Sequence, residues 1–426
     1  MNKTFLLFPL CLLLMASGSL LAQTEQEGEE NSSRGGFEIE GYGEVIYQHY
    51  DYGPDRKSGE NGAPDDSRSV VDLPRVVFEM KYFFDDDFYI TSELEFEHGG
   101  TGSSMELEYE ESGEYEQEVE KGGEVFLEEL HLTKKFSDEF SLRAGRLILP
   151  VGLTNKEHEP DEYFTTTRPE GEVAVVPVTW SEIGVQGFGS FGNLDWTLLL
   201  VNGLDATGFT SENWIVEGHQ TRFETVQATN MAIAARLDYH LFPWLRLGAS
   251  FYRGNSTDNR PKSDMEGIPG VVTIAEGDLL LERGPLTVRG EFLNGNLTNS
   301  QEISSKNSRV SKNLQVPRTP VASGARAWSV EGGYDLFPLM NSSSSLRLIP
   351  FLRYEYYNSM EETAENIYAD LRFKRTIITG GINFHPTKGV VLKADFSHRK
   401  LGLERYNDEN TISLGIGYVG TFFERE

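Results

Sequence analysis

The side chains able to do chemistry in this chain are mostly charged, and few are nucleophilic. Eight histidines (His49, His98, His131, His158, His219, His240, His385 and His398) are scattered with no pair at metal-ligand spacing. The stretch DFSHRK brings Asp395, Ser397 and His398 together. On an extended chain neighbouring side chains point to opposite faces, so Ser397 and His398 cannot form a nucleophile–base contact. No catalytic group, cofactor or metal is therefore expected. What remains is charge at alternate positions. Basic Arg75, Lys81, Arg143, Arg236, Arg246, Arg289, Arg353 and Lys393 share a face with acidic Glu79, Glu93, Glu95, Glu182, Asp195, Asp238, Glu276, Asp278, Glu291, Glu331, Glu355 and Asp395, provided that their segments are strands. A second concentration follows Pro150: Lys156, Glu157, His158, Glu159, Asp161, Glu162, Arg168, Glu170 and Glu172. Charges ringing a space sort ions by sign.

The elements that must hold these charges read as strands. In NLDWTLLLVNG, Leu194, Trp196, Leu198 and Leu200 lie on one face and Asp195 and Thr197 on the other. In VVLKADFSHR, Val390, Leu392, Ala394 and Phe396 oppose Lys393, Asp395 and Ser397. The two-residue period continues through sixteen strands beginning near 37, 69, 88, 124, 139, 181, 194, 227, 244, 270, 286, 326, 346, 368, 389 and 410. Short connections such as SFGN, HLFPW and ERGP alternate with long ones near 51–68, 99–122, 151–180, 203–226, 255–269, 295–325, 359–367 and 400–409. Even strand number with short turns on one side and long loops on the other predicts an all-β, antiparallel transmembrane barrel. A soluble sandwich or propeller also alternates, but would use the apolar face as a core shared between sheets. Here the short turns collect aromatic residues (Phe83, Phe84, Phe136, Phe140, Phe191, Trp196, Tyr239, Phe242, Trp244, Phe337 and Phe384), as at a membrane interface.

The N-terminus agrees with export. Lys3, the apolar run FLLFPLCLLLM and the small residues of ASGSLLAQ predict a secretory signal over 1–22, cut between Ala22 and Gln23. Cys11, the one cysteine, leaves with it, so disulfides and thiolate metal sites are excluded. Loss of Lys3 takes the net charge from −29 to −30, which argues against a nucleic-acid partner. An acidic, polar leader, QTEQEGEENSSRGG, spans 23–36, and the barrel is expected over 37–426 in a Gram-negative outer membrane.

The run EVFLEELHLTKKFSDEFSLRAGRLILPVGLTNKEHEP, followed by VVPVTWSEIGVQGFG and LLLVNGLDATGF, resembles the phosphate-selective porin O/P-like family, in its Bacteroidetes-type form. Gly145, Arg146, Pro150 and Gly152 carry the most specific part, and the similarity is strongest over about 124–210. The resemblance implies a sixteen-stranded barrel, usually a homotrimer in outer-membrane lipid. It also implies passive passage of small hydrophilic or ionic solutes, with phosphate or other anions in view, and a third long loop folded into the pore.

The segment near 151–180, broken by Pro160, Pro169 and Pro177, is that third loop. It is expected to narrow the channel that this strand number leaves open, with Lys156, Glu157, His158, Glu159, Arg168 and Glu170 meeting the wall. Three features depart from the simple picture. Acidic wall groups at least equal basic ones, where an anion-selective member would show arginine and lysine ladders. Arg146 falls on the lipid-facing parity unless Gly145 bulges. Phe422 and Phe423, the terminal aromatics, are followed by ERE. The acidic run Met105–Gly123 alternates too, predicting a hairpin projecting beyond the membrane; its glutamates match no calcium loop. Rival readings are a surface receptor or adhesin barrel without general transport, and a barrel enzyme.

Overall fold

A computed structural model describes residues 35–54, 65–100, 104–109, 115–120, 123, 125–220, 225–309, 319–340, 345–403 and 407–425. The expected signal and nearly all of the leader lie outside these residues. The strands are β1 (Phe37–Pro54), β2 (Asp65–Asp72), β3 (Arg75–Asp85), β4 (Phe88–Glu97), β5 (Ser104–Tyr109), β6 (Tyr115–Glu120), β7 (Val125–Lys135), β8 (Ser141–Ile148), β9 (Ser181–Phe191), β10 (Leu194–Asn202), β11 (Met231–Phe242), β12 (Leu245–Asn255), β13 (Val271–Arg283), β14 (Leu286–Leu297), β15 (Gly324–Tyr334), β16 (Arg347–Glu362), β17 (Lys374–Thr387), β18 (Val390–Leu401) and β19 (Glu409–Arg425).

Each wall strand pairs antiparallel with its chain neighbours, and β1 pairs with β19 from Phe37↔Arg425 to Asp51↔Asn410, closing the cylinder. Closure leaves no strand edge, which is what a sheet needs where no water can satisfy its backbone. Both β2 and β3 lie on β1, as two pieces of one staggered wall strand. The break falls at Leu73–Pro74, where proline has no N–H to give the ladder. The wall therefore has the expected sixteen strands, the second one interrupted. Three starts differ from expectation: β2 begins at Asp65, four residues early, and β11 at Met231 and β17 at Lys374, each several residues late. The acidic run forms a separate hairpin, β5 with β6, paired from Ser104↔Glu120 to Tyr109↔Tyr115.

Side chains sort by parity. Leu237, Leu247, Phe292, Leu352, Ile378, Phe396, Leu414 and Ile416 are exposed on the outside. Arg236, Asp278, Glu291, Arg353, Asp395 and Ser413 are buried inside. A continuous apolar exterior around a charged interior suits lipid outside and water within. Among the described residues no helix is long and apolar enough to cross a membrane; the strands form the wall. Near the short turns Phe136 and Phe140 stack at 5.4 Å, and Phe242 and Trp244 at 4.8 Å.

Part of the interior is apolar, which the alternation did not announce. On β10 the inward side chains change from Asp195 and Thr197 to Leu199 and Val201 toward the loop end. On β11 they change from Asp238 and Arg236 to Ala234 and Ala232. With Val272, Ile274 and Leu293 these meet Leu204, Phe209, Trp214 and Ile215 of the following loop and Trp180 of the segment before β9, forming a core inside the cylinder. Trp180 lies 4.6 Å from Tyr252, and the Trp214 indole donates to the Ala322 carbonyl at 3.2 Å.

Candidate functional site

The connection between β8 and β9, residues 149–180, runs through the bore and is folded in its own right. It contains two short helical stretches, Leu153–Lys156 and Glu170–Val175. The buried Glu172 carboxylate holds the first to the second: it accepts from Thr154 N at 2.9 Å, Thr154 Oγ1 at 2.7 Å and Asn155 N at 2.7 Å. Asn155 then donates to the Leu149 carbonyl at 2.5 Å and accepts from Trp180 N at 2.6 Å, closing the ends of the segment on each other. Gly152 has φ of 100°, and a Cβ there would stand 2.4 Å from Glu172 Oε1, so glycine is required both by conformation and by space.

Wall side chains anchor this segment from around the cylinder. Arg75 on β3 donates to the His158 carbonyl at 2.7 Å. Asp238 on β11 pairs with Lys156 at 2.7 Å, and Arg246 on β12 pairs with Glu157. Glu291 on β14 accepts from Leu153 N at 2.7 Å, and Glu355 on β16 from Gly171 N at 3.4 Å. On β18, Lys393 donates to the Tyr163 and Thr165 carbonyls at 2.8 and 2.9 Å, and Asp395 accepts from Thr166 N and Oγ1 at 2.7 and 2.6 Å. Arg399, further along β18, pairs with Glu170. Phe164 stacks on Phe351 at 5.5 Å beneath the Arg289 guanidinium. A loop at membrane depth is tolerated where protein and water satisfy its backbone, and here charged wall residues do much of that.

The basic and acidic wall residues expected in the lumen are on the inward parity, and most are already paired. Arg236 contacts Asp238 at 2.8 Å, Asp278 at 2.6 Å and Glu276 at 3.4 Å. Arg353 holds Glu331 at 2.5 Å and Glu355 at 3.4 Å, and Arg289 reaches Glu331 at 3.8 Å. Lys81 pairs with Glu79 at 2.6 Å and Glu40 at 3.4 Å, while Arg143 lies 4.1 Å from the Phe188 ring centroid. The basic groups thus form clamps with carboxylates rather than an open ladder. Of the segment residues, Arg168 turns back to Thr179 at 2.9 Å, and Glu159 lines a cavity beside the segment.

Burial pushes the Glu162 carboxyl up to about 7, with Glu157 and Glu159 adding repulsion against the N–H that Glu159 donates to it. Burial, helped by Arg168 and Arg75, holds His158 well below the ordinary imidazole value and so neutral.

The segment leaves space on one side. A cavity of about 380 Å³ lies against β1, β3, β4 and β7 to β11, lined by Glu40, Glu79, Glu93, Glu129, Glu159, Glu162 and Asp238 with Arg143, Lys156 and Arg236. A second, about 310 Å³, lies on the loop side near Glu170, Val173, Glu217 and Tyr357.

Arg146 remains on the outward parity. It pairs in register with Leu130 and Ile183, both exposed, and the β8–β9 ladder runs through Gly145 without a shift. Gly145 instead allows close strand approach, since a Cβ there would stand 2.0 Å from the Leu130 carbonyl. The bulge lies on β7. Pairing slips between Glu93↔Glu129 and Leu94↔Leu127, so Glu128 and Glu129 are both buried. Parity reasoning missed these two, although the polar doublet in VFLEELHL breaks the alternation and signals it. Ser397 is hydrogen-bonded to Thr379 at 2.8 Å and His398 to Asn410 at 2.9 Å, so the DFSHRK motif contains no nucleophile–base pair.

No known family profile matches the chain. An uncharacterised protein of Aquifex aeolicus (strain VF5) is 32% identical over 219 residues, covering 51% of this chain and 44% of that protein. The chain therefore spans less than half the length of that relative. Among solved structures, the outer membrane channel DcaP of Acinetobacter baumannii superposes with a TM-score of 0.55 at 11% identity, covering 93% of this chain and all of that one. An anion-selective porin from Comamonas acidovorans gives 0.53 at 10% identity, covering 90% of this chain and 100% of that one. Salmonella typhi OmpF, in complex with daunomycin, gives 0.52 at 11%, covering 90% and 97%. At such identities the likeness carries the fold, and the chain has the closed sixteen-stranded architecture of the outer-membrane porins.

Proposed function

We propose that this chain is an outer-membrane porin through which small hydrophilic solutes diffuse passively, along the side of the bore that segment 149–180 leaves open. The observation carrying the reading is the segment itself, pinned by wall side chains on β3, β11, β12, β14, β16 and β18 while the cavity beside β1 to β11 stays clear. The charged inner wall and apolar exterior support it, and no arrangement for covalent catalysis competes in the DFSHRK stretch. Assembly as a homotrimer belongs to the same proposal.

The preference we assign is weak and toward cations. The family resemblance favours phosphate or another anion. Against that, Arg236 and Arg246 are engaged with three carboxylates each and Arg353 with two, whereas glutamates dominate the charged lining of the open cavity. Ion selectivity follows the charges left uncompensated at the narrow point. Purified protein in planar bilayers should give discrete conductance steps that grow when 156–172 is shortened, with reversal potentials in asymmetric potassium chloride on the cation side. Unchanged steps after shortening would remove the constriction role, and block by micromolar phosphate would restore the anion reading. The apolar core filling part of the loop end favours one second reading, a surface receptor without transport; absence of any conductance would select it.

A further inference from the structure

Four glutamates stand side by side across four strands at one level of the wall. Glu40 is directly opposite Glu79, Glu79 opposite Glu93, and Glu93 opposite Glu129. Like charges directly opposite in a sheet repel, so the row needs compensation. Lys81 supplies it for Glu40 and for one oxygen of Glu79. Glu129 receives Ile148 N at 3.2 Å on Oε1, with His131 Nε2 at 3.6 Å from its other oxygen.

Glu93, in the middle, is only 5% exposed and has no hydrogen-bond or ion-pair partner among the described residues, although its side chain lines the 380 Å³ cavity. Beside it the bulge brings in Glu128, fully buried, with both carboxylate oxygens unpartnered. A buried carboxylate without a partner is costly, and here two adjoin a row of further carboxylates.

We propose that Glu79, Glu93 and Glu129 bind a divalent cation at the lumen wall, with calcium as the fitting ion. One carboxylate oxygen from each of the three lies within 4.8 Å of the others. Calcium holds oxygens at about 2.3–2.6 Å in a loose shell of six to eight, so its opposed ligands stand about 5 Å apart; magnesium, at about 2.0–2.1 Å, needs a tighter octahedron. Glu79 Oε2 and both Glu93 oxygens remain for the ion, Glu129 Oε2 would be shared between it and His131 Nε2 at 3.6 Å, and the cavity has room for the waters that complete its shell. The β7 bulge sets a further buried carboxylate, Glu128, beside the site by turning two successive glutamates inward. The proposal stands on wall geometry, and calcium binding by a protein that conducts nothing would leave it intact.

The test is calcium titration of the purified full-length barrel by calorimetry, in chelator-treated potassium chloride, with magnesium chloride as the comparison ion. One calcium per chain is expected, with a Kd on the order of 10⁻⁴ to 10⁻³ M, the range of partly open carboxylate sites. Glu93→Gln should weaken it at least about tenfold, because charge count sets affinity at such sites. Glu129→Gln provides a second variant should the first not fold, folding being read from heat-modifiable gel mobility. A triple variant of the hairpin, Glu106→Gln with Glu108→Gln and Glu118→Gln, should keep the wild-type affinity. No calcium binding, wild-type affinity in the folded Glu93→Gln protein, or loss of binding in the hairpin variant overturns the proposal; the first would mean that protons neutralise the row.

Discussion

Replacing Glu172 should release the segment that crosses the bore. The side chain is 4% exposed and accepts three hydrogen bonds, from Thr154 N, Thr154 Oγ1 and Asn155 N at 2.7–2.9 Å. Hydrogen bonds to a charged group contribute about 1.5–3 kcal/mol each, and donors left buried and unmet carry a further penalty. Water entering the gap recovers part of the loss, so Glu172→Ala should cost about 4 kcal/mol, roughly a thousandfold in the ratio of docked to released segment. Glu172→Gln separates charge from shape. With its oxygen at the Oε2 position it keeps both bonds from Thr154 and turns an NH2 toward the Asn155 N–H, so about 2 kcal/mol is expected. Gly152→Ala attacks the same junction from the other side, where the new Cβ would stand 2.4 Å from Glu172 Oε1 on a backbone with φ of 100°. Limited proteolysis of the folded barrel within 149–180, together with single-channel conductance, reads the release. Cleavage and conductance should rise in the order wild type, Glu172→Gln, Glu172→Ala. A Glu172→Ala barrel as protease-resistant and as conductive as wild type would refute the reasoning, since the remaining wall anchors would then suffice alone.

Two further outcomes follow from the charges. The Glu162 carboxyl is raised to about 7, so its folded-state proton is held more tightly than in the unfolded chain; its contribution to stability is full below the ordinary carboxylate range and is lost as pH rises through about 7. Cation preference should accordingly grow between about pH 6 and 8, and Glu162→Gln should flatten that profile in reversal-potential measurements. Arg236→Met leaves Asp238, Glu276 and Asp278 buried around a missing cation, which should cost about 3–5 kcal/mol in thermal unfolding and move selectivity further toward cations. Unchanged stability would mean that these carboxylates bind protons once the guanidinium is gone.

Much of the barrel is legible in the sequence because a strand's side chains alternate whatever surrounds it, and lipid and water impose opposite demands on the two faces. That single constraint determined the closed wall, the inward parity of Arg75, Arg236, Glu291, Arg353 and Asp395, and the outward aromatic rim. The charged, proline-broken stretch after Pro150 also announced itself as something other than a strand. Partners were beyond sequence reasoning, because they depend on which strands face each other across the bore. Nothing local in Glu172 points to Thr154, and nothing in Lys393 points to the carbonyls of Tyr163 and Thr165. The inner apolar core escaped for the same reason: Leu199 and Val201 look like ordinary alternation until Trp214 and Ile215 arrive from the next loop. The glutamate row is the sharpest case. Its members lie far apart in the chain, and only the register of four strands, with one slip at Glu128, brings their charges to the same level. Alternation is a property of each strand alone; register and loop docking are properties of the closed cylinder, and the site was decided there.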